Sequence, residues 1–167
     1  MHGFAIRIAG KNQFLFGGVV QERGTGMIDI GELLYHRPPM IFLDEIIESG
    51  PGSLVAGVHI RPGIPFFQED LGVPAWVGLE YMAQAVAAFA GIRARSDNRP
   101  PELGMLIGCR HYSSKIAAFA PNTRIKVGVQ ELVAEENGLG SFDCTLSTSD
   151  LIAEGRIAVY AGRGKQH

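Results

Sequence analysis

The stretch that most constrains the fold runs from Pro74 to Arg95, PAWVGLEYMAQAVAAFAGIRAR. Its apolar residues recur at helical spacing, and Trp76, Val77, Leu79, Tyr81, Met82, Val86, Phe89 and Ile92 leave no wide polar face. A helix that is apolar nearly all round is a buried helix. Roughly twenty residues at about 1.5 Å each give a rod about 30 Å long, enough to run through a small domain. Pro74 suits a first helical position, where its missing N–H would be unpaired anyway. Arg93 and Arg95 suit the negative end of the helix dipole. Glu80 and Gln84 interrupt the apolar surface and, being one helical turn apart, share a face. A carboxylate turned toward a core must be paired, protonated or used. Glu80 therefore reads either as a structural acid bonded to a neighbouring backbone group or arginine, or as a functional carboxyl. Length alone also admits a membrane span. The Ala and Gly content, the mid-span Glu80 and the opening Gly72 and Pro74 argue for no membrane span.

A chain of 167 residues is expected to form one domain large enough to bury a core without staples. A formal net charge of −2 carries no nucleic-acid footprint. Cys109 and Cys144 follow neither metal nor disulfide-framework spacing, so a reducing cytoplasm is the expected compartment, with no metal and no cofactor. Residues 1–20 lack the apolar block and cleavage site of a secretory signal. Residues 1–26 end in a Gly-Thr-Gly and fit poorly with the remainder of the chain. They are set aside as an N-terminal extension, not native or disordered, with Met27 the start of the working chain. The single domain is expected over 27–162, followed by a tail at 163–167.

Asp29 and Glu32 have the spacing of a capping box, which predicts a short helix over Ile30–Leu34. Pro38 and Pro39 end any helix there. Met40–Glu48 is predicted as a strand, paired through the turn at Ser49–Gly52 with a second strand over Ser53–Arg61. After the long helix come four strands, Met105–Ser113, Arg124–Ala134, Gly140–Ser147 and Ile152–Tyr160. Asn137-Gly138 and Ser149-Asp150 are hairpin signals between the last three. The order predicts an α+β fold in which an antiparallel sheet wraps one long central helix.

Two motifs carry a resemblance. One is His36-Arg37-Pro38-Pro39-Met40 followed by Ile41-Phe42-Leu43-Asp44. The other is Val77-Gly78-Leu79-Glu80-Tyr81-Met82-Ala83-Gln84. With Gly108 to Lys115 and Ala120-Pro121-Asn122-Thr123, they resemble the hotdog-fold 3-hydroxyacyl-acyl carrier protein dehydratases, and most nearly the dehydratase-like subgroup of aryl polyene gene clusters. The resemblance covers about Met27 to Ala161. It implies reversible removal of water from a 3-hydroxyacyl thioester in fatty-acid or polyene biosynthesis, a phosphopantetheine-linked substrate on an acyl carrier protein, and a homodimer or a heterodimer with a hotdog paralogue. One departure is plain. The family's His-Phe-x-Gly histidine, its base, would fall by gapless counting at Phe66, and Pro65 to Gly72 contains no histidine.

Dehydration needs a base at C2, an acid for the departing C3 hydroxyl, and donors for the thioester oxygen. The resemblance implies Glu80 as the acid, a role that suits a buried carboxyl. It also implies the Ala75 backbone N–H as the oxygen's donor. Pro74 cannot donate, so Ala75 and Trp76 are the first donors. Gln84 is expected to orient Glu80 or a water. His36 and Asp44 are expected in structural roles around the proline turn. His111 and His59 are the candidate replacement bases. Glu69 and Asp70 read as a solvated turn. Arg93, Arg95 and Arg99 read either as a solvated helix end or as a contact for an acidic carrier protein. Two alternatives remain: a non-catalytic hotdog subunit completing a composite site with a His-bearing paralogue, and an acyl thioesterase.

Overall fold

The computed structural model describes residues 28–161. The expected extension at 1–26 and tail at 163–167 lie outside the described residues. In chain order the elements are α1 (Ile30–Leu33), β1 (Glu45–Gly50), β2 (Ser53–His59), a two-residue β3 (Val73–Pro74), a 3-10 turn (Ala75–Val77), α2 (Gly78–Ser96), β4 (Gly104–Ser114), a two-residue β5 (Ala118–Phe119), β6 (Arg124–Ala134), β7 (Leu139–Ser147) and β8 (Leu151–Ala161). Six strands form one antiparallel sheet in the order β1-β2-β6-β7-β8-β4. The short pair β3–β5 stands apart from it. This is the hotdog architecture, an α+β fold with one long helix held in a curved sheet.

Alternation makes the inner face of the sheet. Ile125, Val127 and Val129 of β6, Phe142, Cys144 and Leu146 of β7, and Ala153 and Ile157 of β8 are buried, while the residues between them point outward. Tyr81, Met82, Ala85, Val86 and Phe89 of α2 meet that face. Phe89 packs edge-on against Phe142 at 5.8 Å between ring centroids. Each fully buried large side chain contributes about 1.5–3 kcal/mol, so this contact is the main source of the fold's stability. The stretch Ala75–Ser96 has the length and hydropathy of a membrane span, but most of its apolar window is buried inside the domain. The helix is not sealed all round, however. Trp76, Glu80, Ala83, Ala87 and Ala90 follow one another at helical spacing and stay partly or fully open.

Three expectations change in detail. Pro74 is not a helical residue: it ends β3, and the helix follows through the 3-10 turn. The strand expected over Met40–Glu48 begins only at Glu45: Met40–Leu43 precede the sheet, and the Asp44 N–H donates to the Gly57 carbonyl of β2 at 2.8 Å. The capping box is half formed. Asp29 accepts from the Gly31 N–H at 2.9 Å, but Glu32 turns away to Arg95 at 2.6 Å. That link ties α1 to the far end of α2.

Gly91 lets those two helices touch. A Cβ there would fall on the Leu33 carbonyl oxygen, a backbone atom that cannot rotate away. Gly91→Ala is therefore expected to lower stability by about 1–3 kcal/mol despite Ala's better helix propensity. A denaturant midpoint at or above the wild-type value would show that α1 does not seat on Gly91.

Candidate active site

The site is built on Gln84, whose side chain is fully buried. Its Oε1 accepts from the Phe42 N–H at 2.9 Å, and its Nε2 donates to the Met40 carbonyl at 2.8 Å. One side-chain amide thus replaces the backbone partners that a strand would have supplied to Met40–Phe42. Nε2 also donates to Glu80 Oε1 at 2.9 Å, one turn earlier on the same face. Glu80 is consequently held in position, but it does not face a closed core as expected: its side chain is 37 % exposed. As an acidic residue in the first turn of α2 it also sits favourably at the positive end of the dipole.

The segment that Gln84 anchors carries His36 with it. His36 Nε2 lies 3.5 Å from Glu80 Oε1. The turn itself is tied by Arg37, which donates through Nη1 to the carbonyls of Leu34 at 2.9 Å, Tyr35 at 3.3 Å and His36 at 2.7 Å. Asp44 joins two other elements. Its Oδ2 accepts from the His59 N–H at 2.6 Å and its Oδ1 pairs with Arg61 at 2.8 Å, which fastens the end of β2.

The N-terminal end of the helix differs from expectation. The Ala75 N–H, expected to meet a thioester oxygen, donates instead to the Ala117 carbonyl at 2.9 Å, continuing the β3–β5 pairing by one residue. Its own carbonyl accepts from the Tyr112 hydroxyl. Of the two first donors, Trp76 is the one outside that bridge. Trp76 and Phe66 are exposed aromatics in contact, with ring centroids 5.3 Å apart, and Phe66 also meets Phe42 edge-on at 6.0 Å. Phe66 has φ +64, a left-handed conformation that a bulky residue adopts at a cost of about 1–3 kcal/mol and that its surroundings must hold. The place counted for the missing histidine is thus a strained corner of an aromatic cluster beside the helix start.

The other histidines lie apart. His111 pairs with Arg156 across β4 and β8, on the face opposite the buried Gly155 and Ile157, and it is exposed there. His59 follows the core residue Val58 and so points to the outer face as well. Neither joins Glu80. Glu69 and Asp70 are exposed, in the loop closed by Gln68 and Gly72. The arginines near the helix end are engaged within the chain. Arg93 forks onto Glu131 at 2.7 and 2.8 Å, Arg95 meets Glu32 at 2.6 Å, and Arg99 meets Asp97 at 2.9 Å and Glu102 at 2.5 Å.

The juxtaposition of His36 and Glu80 was not legible in the sequence, because 44 residues separate them and no periodicity relates a proline turn to a helix face. Its only trace was the buried polar Gln84, a side chain that had to find partners somewhere.

Comparisons with known proteins agree with this architecture. The chain is 32 % identical over 87 residues to a 3-hydroxyacyl-[acyl-carrier-protein] dehydratase FabZ of Anaeromyxobacter dehalogenans, a match covering 49 % of this chain and 56 % of that protein. The chain thus spans little more than half the length of that relative. A FabZ of Acinetobacter baylyi is 23 % identical over 128 residues, covering 74 % of this chain and 85 % of the relative. Among solved structures, the dehydratase heterocomplex ApeI:P from Xenorhabdus doucetiae matches with a TM-score of 0.77 and 25 % identity, covering 83 % of this chain and 94 % of that one. A hypothetical thioesterase with coenzyme A from Streptococcus pneumoniae shares the fold alone, with a TM-score of 0.56 at 7 % identity and coverage of 71 % and 84 %. The ApeP dehydratase family model matches residues 28–167, a range that includes all the described residues, and the chain belongs to the ApeP-like dehydratase family.

Proposed function

We propose that the chain is a cytoplasmic dehydratase subunit that removes water from 3-hydroxyacyl thioesters carried by an acyl carrier protein, with Glu80 as the acid, and that it works paired with a second hotdog chain. The observation that carries the reading is the tethered carboxyl: Glu80 is fixed by a fully buried amide yet open at the rim of the fold. In this reaction the C2 proton leaves to a base, the C2–C3 double bond forms, and the C3 hydroxyl takes the Glu80 proton and departs as water. Trp76, Phe66 and Met40, all exposed around this rim, supply apolar contact for an acyl chain. The unpaired thiols of Cys109 and Cys144 suit a reducing compartment.

Pairing is supported from two sides. Strand β4 is an open sheet edge that exposes Met105, Leu106 and Ile107 in succession, and an open apolar edge must be paired or covered. The half-covered stripe of α2 lies open as well. The partner is either a copy of this chain or a paralogue, as in the ApeI:P heterocomplex. Purified chain, alone and mixed with a hotdog paralogue, is to be offered 3-hydroxyacyl and enoyl thioesters on an acyl carrier protein. Interconversion of the two is expected, from a species with the solution mass of a dimer. Release of free thiol would favour a thioesterase instead. A stable monomer would count against the pairing.

A further inference from the structure

The proline turn that carries His36 is tied by Arg37 through three carbonyls, so the turn has a fastening besides the His36 ring. Nε2 faces Glu80 at 3.5 Å, while Nδ1 is buried with no hydrogen-bond partner among the described residues. A neutral imidazole carries one N–H and one lone pair. Within the described residues Nδ1 is without a partner in either tautomer, an arrangement that costs about 1–3 kcal/mol where no other group meets it. A histidine kept for stability would not be left this way. The usual alternative is missing too, since the ring at Phe66 can accept no proton.

We infer that His36 is the base of the reaction, supplied by the same chain as the acid Glu80. The inference rests on the dehydratase reading and names the base for that site. His36 Nε2 takes the C2 proton, and the electrons of the C2–H bond form the C2–C3 double bond. The C3–O bond breaks, the departing hydroxyl takes the proton of Glu80, and water leaves. His36 is then protonated and Glu80 ionised, side by side. Passage of the proton from Nε2 to Oε1 restores both groups without help from a second chain. The paired hotdog chain would then supply walls and substrate channel rather than the missing base, and a pair made of two copies would carry two complete sites.

The test compares wild type, His36→Asn, His36→Gln, Glu80→Gln and the double variant His36→Asn/Glu80→Gln. Each is assayed alone and with a hotdog paralogue on a 3-hydroxyacyl thioester of acyl carrier protein, with thermal unfolding recorded in parallel. His36→Asn is expected to lower kcat by about 10²–10⁴-fold with little change in KM. Its unfolding temperature should not fall, since the turn is held by Arg37. Because the two groups act as one unit, the double variant should be no slower than the slower single. A folded His36→Asn or His36→Gln that keeps its rate overturns the assignment, as do losses that multiply in the double variant. So does turnover that appears only with a paralogue carrying a histidine at the place of Phe66 and is indifferent to His36. Wild-type chain inert under both conditions would overturn the dehydratase reading itself, an outcome distinguishable because no variant enters it.

Discussion

Glu80→Gln is expected to fold as the wild type does and to lose dehydratase turnover by about 10²–10⁴-fold, the range typical of a missing general acid. The substitution is nearly isosteric, and the new amide oxygen can still accept from Gln84 Nε2, which lies 2.9 Å from Glu80 Oε1. Only the proton that Glu80 donates, and the charge left on it after donation, disappear. Loss of a first-turn carboxylate weakens the helix dipole interaction by about 0.3–1 kcal/mol, too little to unfold the domain. The measurement is kcat on a 3-hydroxyacyl thioester of acyl carrier protein, with circular dichroism and thermal unfolding as controls. A folded variant that retains full rate would make Glu80 a structural residue and remove the basis for the site.

The second large effect is expected at Gln84 and should be seen first in stability. Gln84→Leu fills the same space but leaves the buried Phe42 N–H without an acceptor and the Met40 carbonyl without a donor. A stranded buried backbone group costs about 1–3 kcal/mol. The Met40 carbonyl is part-exposed and can recover some of this from water, so a total of about 2–4 kcal/mol is expected. Against a typical domain stability of about 5–15 kcal/mol this is a large shift in the denaturant midpoint. Activity should fall further than stability explains, because the released segment carries His36 and the released carboxyl is Glu80. Gln84→Glu should be at least as damaging, since it removes both N–H donors and sets one carboxylate against another. A Gln84→Leu protein of unchanged midpoint and rate would show that the 40–42 segment is held by something else.

Much of the fold was legible because it rests on local periodicity. β6 runs from Arg124 to Ala134 as the alternation predicts, and β7 and β8 differ from their expected limits by a residue at one or both ends. The buried helix was legible from its lack of a polar face, and the common face of Glu80 and Gln84 from their spacing alone. The motif words around His36 and Glu80 pointed to the family through a resemblance that needed no geometry.

What the tertiary structure decided lies between elements distant in the chain. Met40–Leu43 is apolar enough to read as strand, but its Phe42 N–H and Met40 carbonyl are taken by a helix side chain more than forty residues away, so it stays out of the sheet. Ala75 opens a helical run, yet its N–H is committed to Ala117, which no propensity at position 75 could reveal. β4 follows the helix in sequence but pairs with β8, the last strand, rather than with β6. The meeting of His36 with Glu80 is of the same kind. Propensity and periodicity act over a few residues along the chain, whereas a site is assembled by packing, which brings together groups that have no relation in sequence.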